Sequence, residues 1–126
     1  MREAQDLVAQ AKQQIMEIDV AAAPSVISNA HLLIDVREPA EYESGHIEGA
    51  ISIPRGMLEF TMSSRPELNA RTLNIVVYCK TSGRAALAAQ SLKSMGYQHV
   101  QSIAGGLEAW LSAQNPIVTP ASIDYL

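Results

Sequence analysis

The sequence predicts an α/β fold in which a parallel sheet carries helices on both faces. Short runs rich in Val, Ile and Leu recur at His31–Val36, Ala50–Ile53, Leu73–Tyr78 and Val100–Ile103. Continuous apolar runs of this length suit strands buried on both sides. Between them lie segments suited to helices, Pro39–Ser44, Met57–Ser63, Arg84–Met95 and Leu107–Ala113, and such alternation is the pattern of a parallel sheet. Glycine marks the seams. Gly96 follows the alanine-rich helix where a left-handed residue belongs, and Gly105-Gly106 closes the last strand.

Taken in order, the elements begin with a helix. Ala4, Leu7, Val8, Ala11, Ile15 and Ile18 recur at steps of three and four, which places them on one face of an amphipathic helix over Arg2–Met16. Residues 1–14 are therefore set apart as a helical extension. Its apolar stripe is assigned to packing, on the domain's own edge or against a second copy, and not to catalysis. The domain proper is expected over 15–113. The tail, 114–126, carries Pro116 and Pro120 and is expected to run along the surface without regular structure.

A chain of 126 residues has room for one core. It is 48% hydrophobic and 17% charged with a net charge of -4, an ordinary globular balance with no basic patch to attract nucleic acid. No run approaches the roughly 20 apolar residues of a membrane span, and Met-Arg-Glu-Ala-Gln-Asp is too polar to open a signal peptide. A cytoplasmic address is the expectation. Cys79 is the single cysteine, so neither an intramolecular disulfide nor a multi-cysteine metal site can form, and neither cofactor nor metal is expected.

Cys79 ends the most hydrophobic strand, and Lys80-Thr81-Ser82-Gly83 leads from it to Arg84 at the start of a helix. That strand-to-helix crevice is where open parallel sheets bind ligands. A loop of small residues entering a helix can turn several backbone N–H groups toward one anion, and the same field favours thiolate over thiol. Arg84 offers a planar fork for an anionic oxygen pair and Lys80 a point charge at the mouth. The plainer alternative is a buried Cys79 that only packs, beside a solvated Arg84 and a surface Lys80.

Three further segments accompany this loop: Leu33-Ile-Asp-Val-Arg37, Glu41-Tyr-Glu-Ser-Gly-His-Ile-Glu-Gly-Ala50 running into Ile53-Pro54, and Gly105-Gly106-Leu-Glu-Ala-Trp110. In this order, together with Cys79–Arg84, they closely resemble the rhodanese homology domain over roughly residues 15–113. The resemblance implies five parallel strands flanked by helices and a sulfurtransferase of the thiosulfate:cyanide type. Cys79 would carry a persulfide, Lys80, Thr81, Ser82, Gly83 and Arg84 would bind the substrate, a small sulfane-sulfur donor would load the thiol, and a thiol, protein cysteine or cyanide would unload it. Related modules that dephosphorylate proteins or reduce arsenate carry one more residue between cysteine and arginine, so the six-residue loop here favours sulfur transfer. A non-enzymatic interaction module on the same fold is the other alternative. Ser82 departs from the family pattern, which often has glycine at that loop position.

The remaining polar residues are assigned structural roles: Asp35 holds loops by hydrogen bonds, Arg37 pairs with Glu41, and His46 belongs to a turn. Trp110 is expected in the core, and Leu58 and Phe60 at the entrance to the site.

Overall fold

The computed structural model describes residues 2–120. A five-stranded, wholly parallel sheet runs in the order β1-β5-β4-β2-β3. Its strands are β1 (Met16–Ile18), β2 (Leu32–Asp35), β3 (Ile51–Ser52), β4 (Asn74–Tyr78) and β5 (His99–Ile103). The helices are α1 (Ala4–Lys12), α2 (Ala23–Ser28), α3 (Pro39–Ser44), α4 (Leu58–Ser64), α5 (Gly83–Ser94) and α6 (Gly106–Ser112).

Alternate residues of one strand face opposite ways, and the sheet buries both sets. Ile34, Ile75, Val77 and Cys79 pack with Leu58 and Met62 of α4 and Leu92 of α5. On the other face Leu33, Val76, Tyr78 and Ile103 pack with Ala23, Leu107 and Trp110. Trp110 is buried as expected. Four alanines of α5, at 85, 86, 88 and 89, are wholly buried.

α1 is shorter than the stripe suggested. It opens on a reciprocal capping box between Glu3 and Asp6 and is capped at Gln13. Ile15 and Ile18, which continue the helical spacing, leave it: Ile18 is the buried residue of β1, a strand too short to show alternation in the sequence. The helix lies along α5, where the Val8 side chain would stand 3.6 Å from a Cβ at Gly83, Gln90 Nε2 donates to Gln14 Oε1 at 3.1 Å, and Lys93 donates to the Gln14 carbonyl.

One other boundary shifts. β3 is two residues long, although backbone bonds to the end of β2 continue beyond it, Ile53 N–H donating to the Asp35 carbonyl and Arg55 N–H to that of Val36. The start of the tail, expected along the surface without regular structure, is tied to the domain by particular contacts: Trp110 Nε1 donates to the Pro116 carbonyl at 2.8 Å, Val118 forms an isolated bridge with His46, and Ile117 packs beside Gly45. The tail's last residues, 121–126, lie outside the described residues.

β4 is central, and the chain order reverses on either side of it. The carboxyl ends of β4 and β2 therefore open the crevice where such sheets bind ligands, and the loop after β4 begins with Cys79.

Candidate active site

Cys79 is 1% exposed, and its Sγ accepts a hydrogen bond from the Ala85 N–H at 3.3 Å. The peptide orientations after it follow from α6. Leu107 N–H donates to the Cys79 carbonyl at 2.9 Å and Glu108 N–H to the Lys80 carbonyl at 3.0 Å. A trans peptide points its N–H opposite to its C=O, so the amides of Lys80 and Thr81 turn away from α6. The Thr81 carbonyl lies against Gly106, which turns the Ser82 amide the same way, and the Ser82 carbonyl accepts from Ala86, which sets the Gly83 amide. Among the described residues none accepts from the N–H of Lys80, Thr81, Ser82, Gly83 or Arg84. These five amides stand at the positive end of a 12-residue helix, an environment that favours negative charge.

Gly106 makes this packing possible. It stands at φ +57, and a Cβ there would fall on the Thr81 carbonyl and 2.5 Å from that of Cys79. Sequence reasoning treats the Gly105-Gly106 pair as punctuation. The structure makes Gly106 the floor of the loop.

Arg84 does not present an open fork. Its Nη1 and Nη2 donate to the two carboxylate oxygens of Glu41 on α3, at 2.7 and 3.1 Å. Glu41 also takes the Glu38 N–H in the capping box of α3. The partner expected for Glu41 was Arg37, but Arg37 is engaged elsewhere: its Nε and Nη2 donate to Asp35, and Nη2 also to the Gly45 carbonyl. Asp35 also accepts the Arg37 backbone N–H at 3.0 Å, so the loop-holding role expected of it is present. Glu41, 43 residues from Arg84, is a site residue that the sequence conceals.

The Arg84 hydrogen bonds hold the Glu41 carboxyl down from its ordinary 4.5 to about 2, and the same pair raises Arg84. A carboxyl depressed on folding stabilises fully above its unfolded value and loses that contribution as pH falls toward the folded one. Both side chains are about a third exposed, so solvent screening limits the pair to about 1 kcal/mol. Urea unfolding should place wild type above Glu41→Gln near neutrality, with the gap closing as pH drops from 4.5 toward about 2. A gap independent of pH would contradict the pairing.

The other expected residues fall as follows. Lys80 is exposed, 3.9 Å from Glu108, and the Thr81 side chain faces solvent. Ser82 is the N-cap of α5 yet makes no capping bond, and its φ of -149 is no left-handed angle; this is why serine fits where the family often has glycine. Its Oγ instead accepts from Lys12 Nζ at 2.7 Å. Gly83 begins α5. Leu58 does not line an entrance, being wholly buried in the cluster that holds Cys79, whereas Phe60 is 71% exposed. His46 is buried, stacked on Tyr42 with ring centroids 3.8 Å apart. Its Nδ1 lies 3.0 Å from the Tyr42 carbonyl, which can only accept, so that nitrogen carries the proton. A cleft of about 410 Å³ at the opposite end of the sheet, lined by Asn29, Asn74, Gln98 and Gln101 among others, includes no residue of the Cys79–Arg84 loop. No helix of the described residues is long and apolar enough to cross a membrane.

The model of the rhodanese-like domain matches residues 8–113 and so takes in most of α1. A protein of Allochromatium vinosum named sulfurtransferase is 35% identical over 89 residues, 71% of this chain and 79% of its own. Thiosulfate sulfurtransferase 16, chloroplastic, of Arabidopsis thaliana is 33% identical over 114 residues, 82% of this chain and 92% of its own. A solved structure from Rhodopseudomonas palustris, described as a protein of unknown function and possible tyrosine phosphatase, superposes with a TM-score of 0.83 at 32% identity, over 94% of this chain and 96% of that one. With its parallel sheet and its cysteine loop at the carboxyl end of β4, the chain belongs to the rhodanese-like family.

Proposed function

We propose that the protein is a sulfurtransferase that carries sulfur as a persulfide on Cys79. The observation that carries this reading is the ring of loop amides, from Lys80 to Arg84, with no acceptor among the described residues and a thiol at its origin. The Cys79 thiolate attacks the outer sulfur of thiosulfate or a similar donor. The donor's S–S bond breaks, sulfite leaves with the electron pair, and a new S–S bond joins the transferred sulfur to Cys79. A thiolate or cyanide then attacks that outer sulfur, and the electron pair returns to Cys79. Two displacements replace one difficult transfer.

The chain's part is electrostatic. Amides already aimed at the loop's centre need not reorganise when negative charge arrives, and one such donor is typically worth about 10²–10³ in rate. Arg84, tied to Glu41, fixes the start of α5 against α3 and adds permanent positive charge behind the loop. Lys80, exposed and 3.9 Å from the equally exposed Glu108, meets the donor at the mouth.

The description of the Rhodopseudomonas protein as a possible tyrosine phosphatase favours a second reading, phosphate ester hydrolysis at the same cysteine. Six residues from Cys79 to Arg84 make a tight ring for a terminal sulfur and a poor one for a phosphoryl group with three equatorial oxygens. Purified protein should transfer sulfur from thiosulfate to cyanide and leave an activated aryl phosphate intact. Hydrolysis of the phosphate without sulfur transfer would make the phosphatase reading primary.

A further inference from the structure

We propose that Lys12, on the amino-terminal helix outside the loop, is a positioning residue that keeps the start of α5 open for an anion by restraining Ser82. The inference rests on the reading of the loop as an anion site.

Serine at an N-cap ordinarily adopts an extended backbone and turns its hydroxyl back to accept from the N–H two or three residues on. Ser82 does neither. Its φ and ψ are -149 and -9, and no side-chain cap is made. The amides it would serve are those of Arg84, which is unpartnered, and Ala85, which is given to Cys79 Sγ. The hydroxyl oxygen is instead turned to Lys12 Nζ, 70 residues earlier in the chain. Lys12 is held from behind by Glu17 of β1, 3.7 Å away, and α1 is seated by Val8 over Gly83.

Without Lys12, Ser82 can relax to the ordinary capping conformation. Its hydroxyl then competes with the bound anion and with the Cys79 sulfur for the same two amides. Because ψ of Ser82 sets the plane of the following peptide, the Gly83 N–H turns with it. The helix would cap itself at the expense of its ligand.

The test is a titration with sulfate, an inert stand-in for the donor's anionic end, followed by the amide NMR shifts of Gly83 and Arg84. Lys12→Met keeps an unbranched side chain of similar length while removing the ammonium donor and its charge. It should weaken sulfate binding about fivefold, the size of an ordinary N-cap, and should raise KM for thiosulfate while kcat holds. Adding Ser82→Ala, which removes the competing hydroxyl, should recover most of that loss. A recovery separates self-capping from a simple clamp or a direct charge effect, in both of which the double variant binds no better than Lys12→Met. Absence of recovery, an unaltered affinity in Lys12→Met, or no sulfate shift in wild type would each overturn the proposal. Sulfate binding with the expected recovery, in a protein that never forms a persulfide, would sink the sulfurtransferase reading and leave the role of Lys12 standing.

Discussion

Gly106→Ala is expected to lower sulfur transfer by at least about a hundredfold, the scale of losing one preorganised donor. The added Cβ would fall on the Thr81 carbonyl and 2.5 Å from that of Cys79. Both are backbone atoms that cannot swing aside, and the φ of +57 is unfavourable for any residue with a side chain. Relief requires α6 and the loop to separate. That breaks the Leu107 and Glu108 hydrogen bonds which orient the loop peptides, and the ring of amides opens. Gly83→Ala is the informative contrast. A Cβ there would meet only Val8, at an ordinary 3.6 Å, so it tests whether the loop needs glycine itself or only room. Steady-state kinetics on both variants, with circular dichroism to verify folding, check the prediction. Wild-type kinetics in Gly106→Ala would mean that α6 does not set the loop.

Asp35→Ala should cost about 3–5 kcal/mol of folding stability, the scale for breaking a buried pair and leaving one charge uncompensated. Asp35 is wholly buried and Arg37 nearly so. Three N–H groups of Arg37, one of them backbone, converge on the carboxylate, and the guanidinium also holds the Gly45 carbonyl. Burial alone would lower the Arg37 pKa, but the hydrogen bonds and charge of Asp35 outweigh it and raise it. Against a typical stability of about 5–15 kcal/mol, such a loss moves the urea midpoint severely. A change under about 1 kcal/mol would show that Arg37 finds another anion or water.

What could be seen in the sequence was the part written locally. The four apolar runs became β2 to β5, each within a residue or two, because a continuous run of apolar residues is visible without its partner strand. The cysteine loop was equally visible, since Cys79, the small residues and Arg84 are consecutive. The supporting contacts were not. Glu41 reaches Arg84 across 43 residues and Lys12 reaches Ser82 across 70, and in the sequence each is simply a charged residue on a short helix. Arg37 does not pair with Glu41 as expected, because it precedes α3 and turns inward to Asp35. β1 is hidden in the sequence because Ile18, its one buried residue, continues the helical spacing of α1 and the strand is three residues long. Gly106 was recognised as a break but not as a contact surface. The signal available was a second glycine straight after the first, one more than a turn requires.

The most direct test of the account is the intact mass of the protein after exposure to thiosulfate and removal of excess donor. Cys79 is the only thiol, so the account predicts one added sulfur atom, removed by cyanide or a thiol, and no addition to Cys79→Ser. An unchanged mass in protein that is folded and retains a titratable thiol would contradict it.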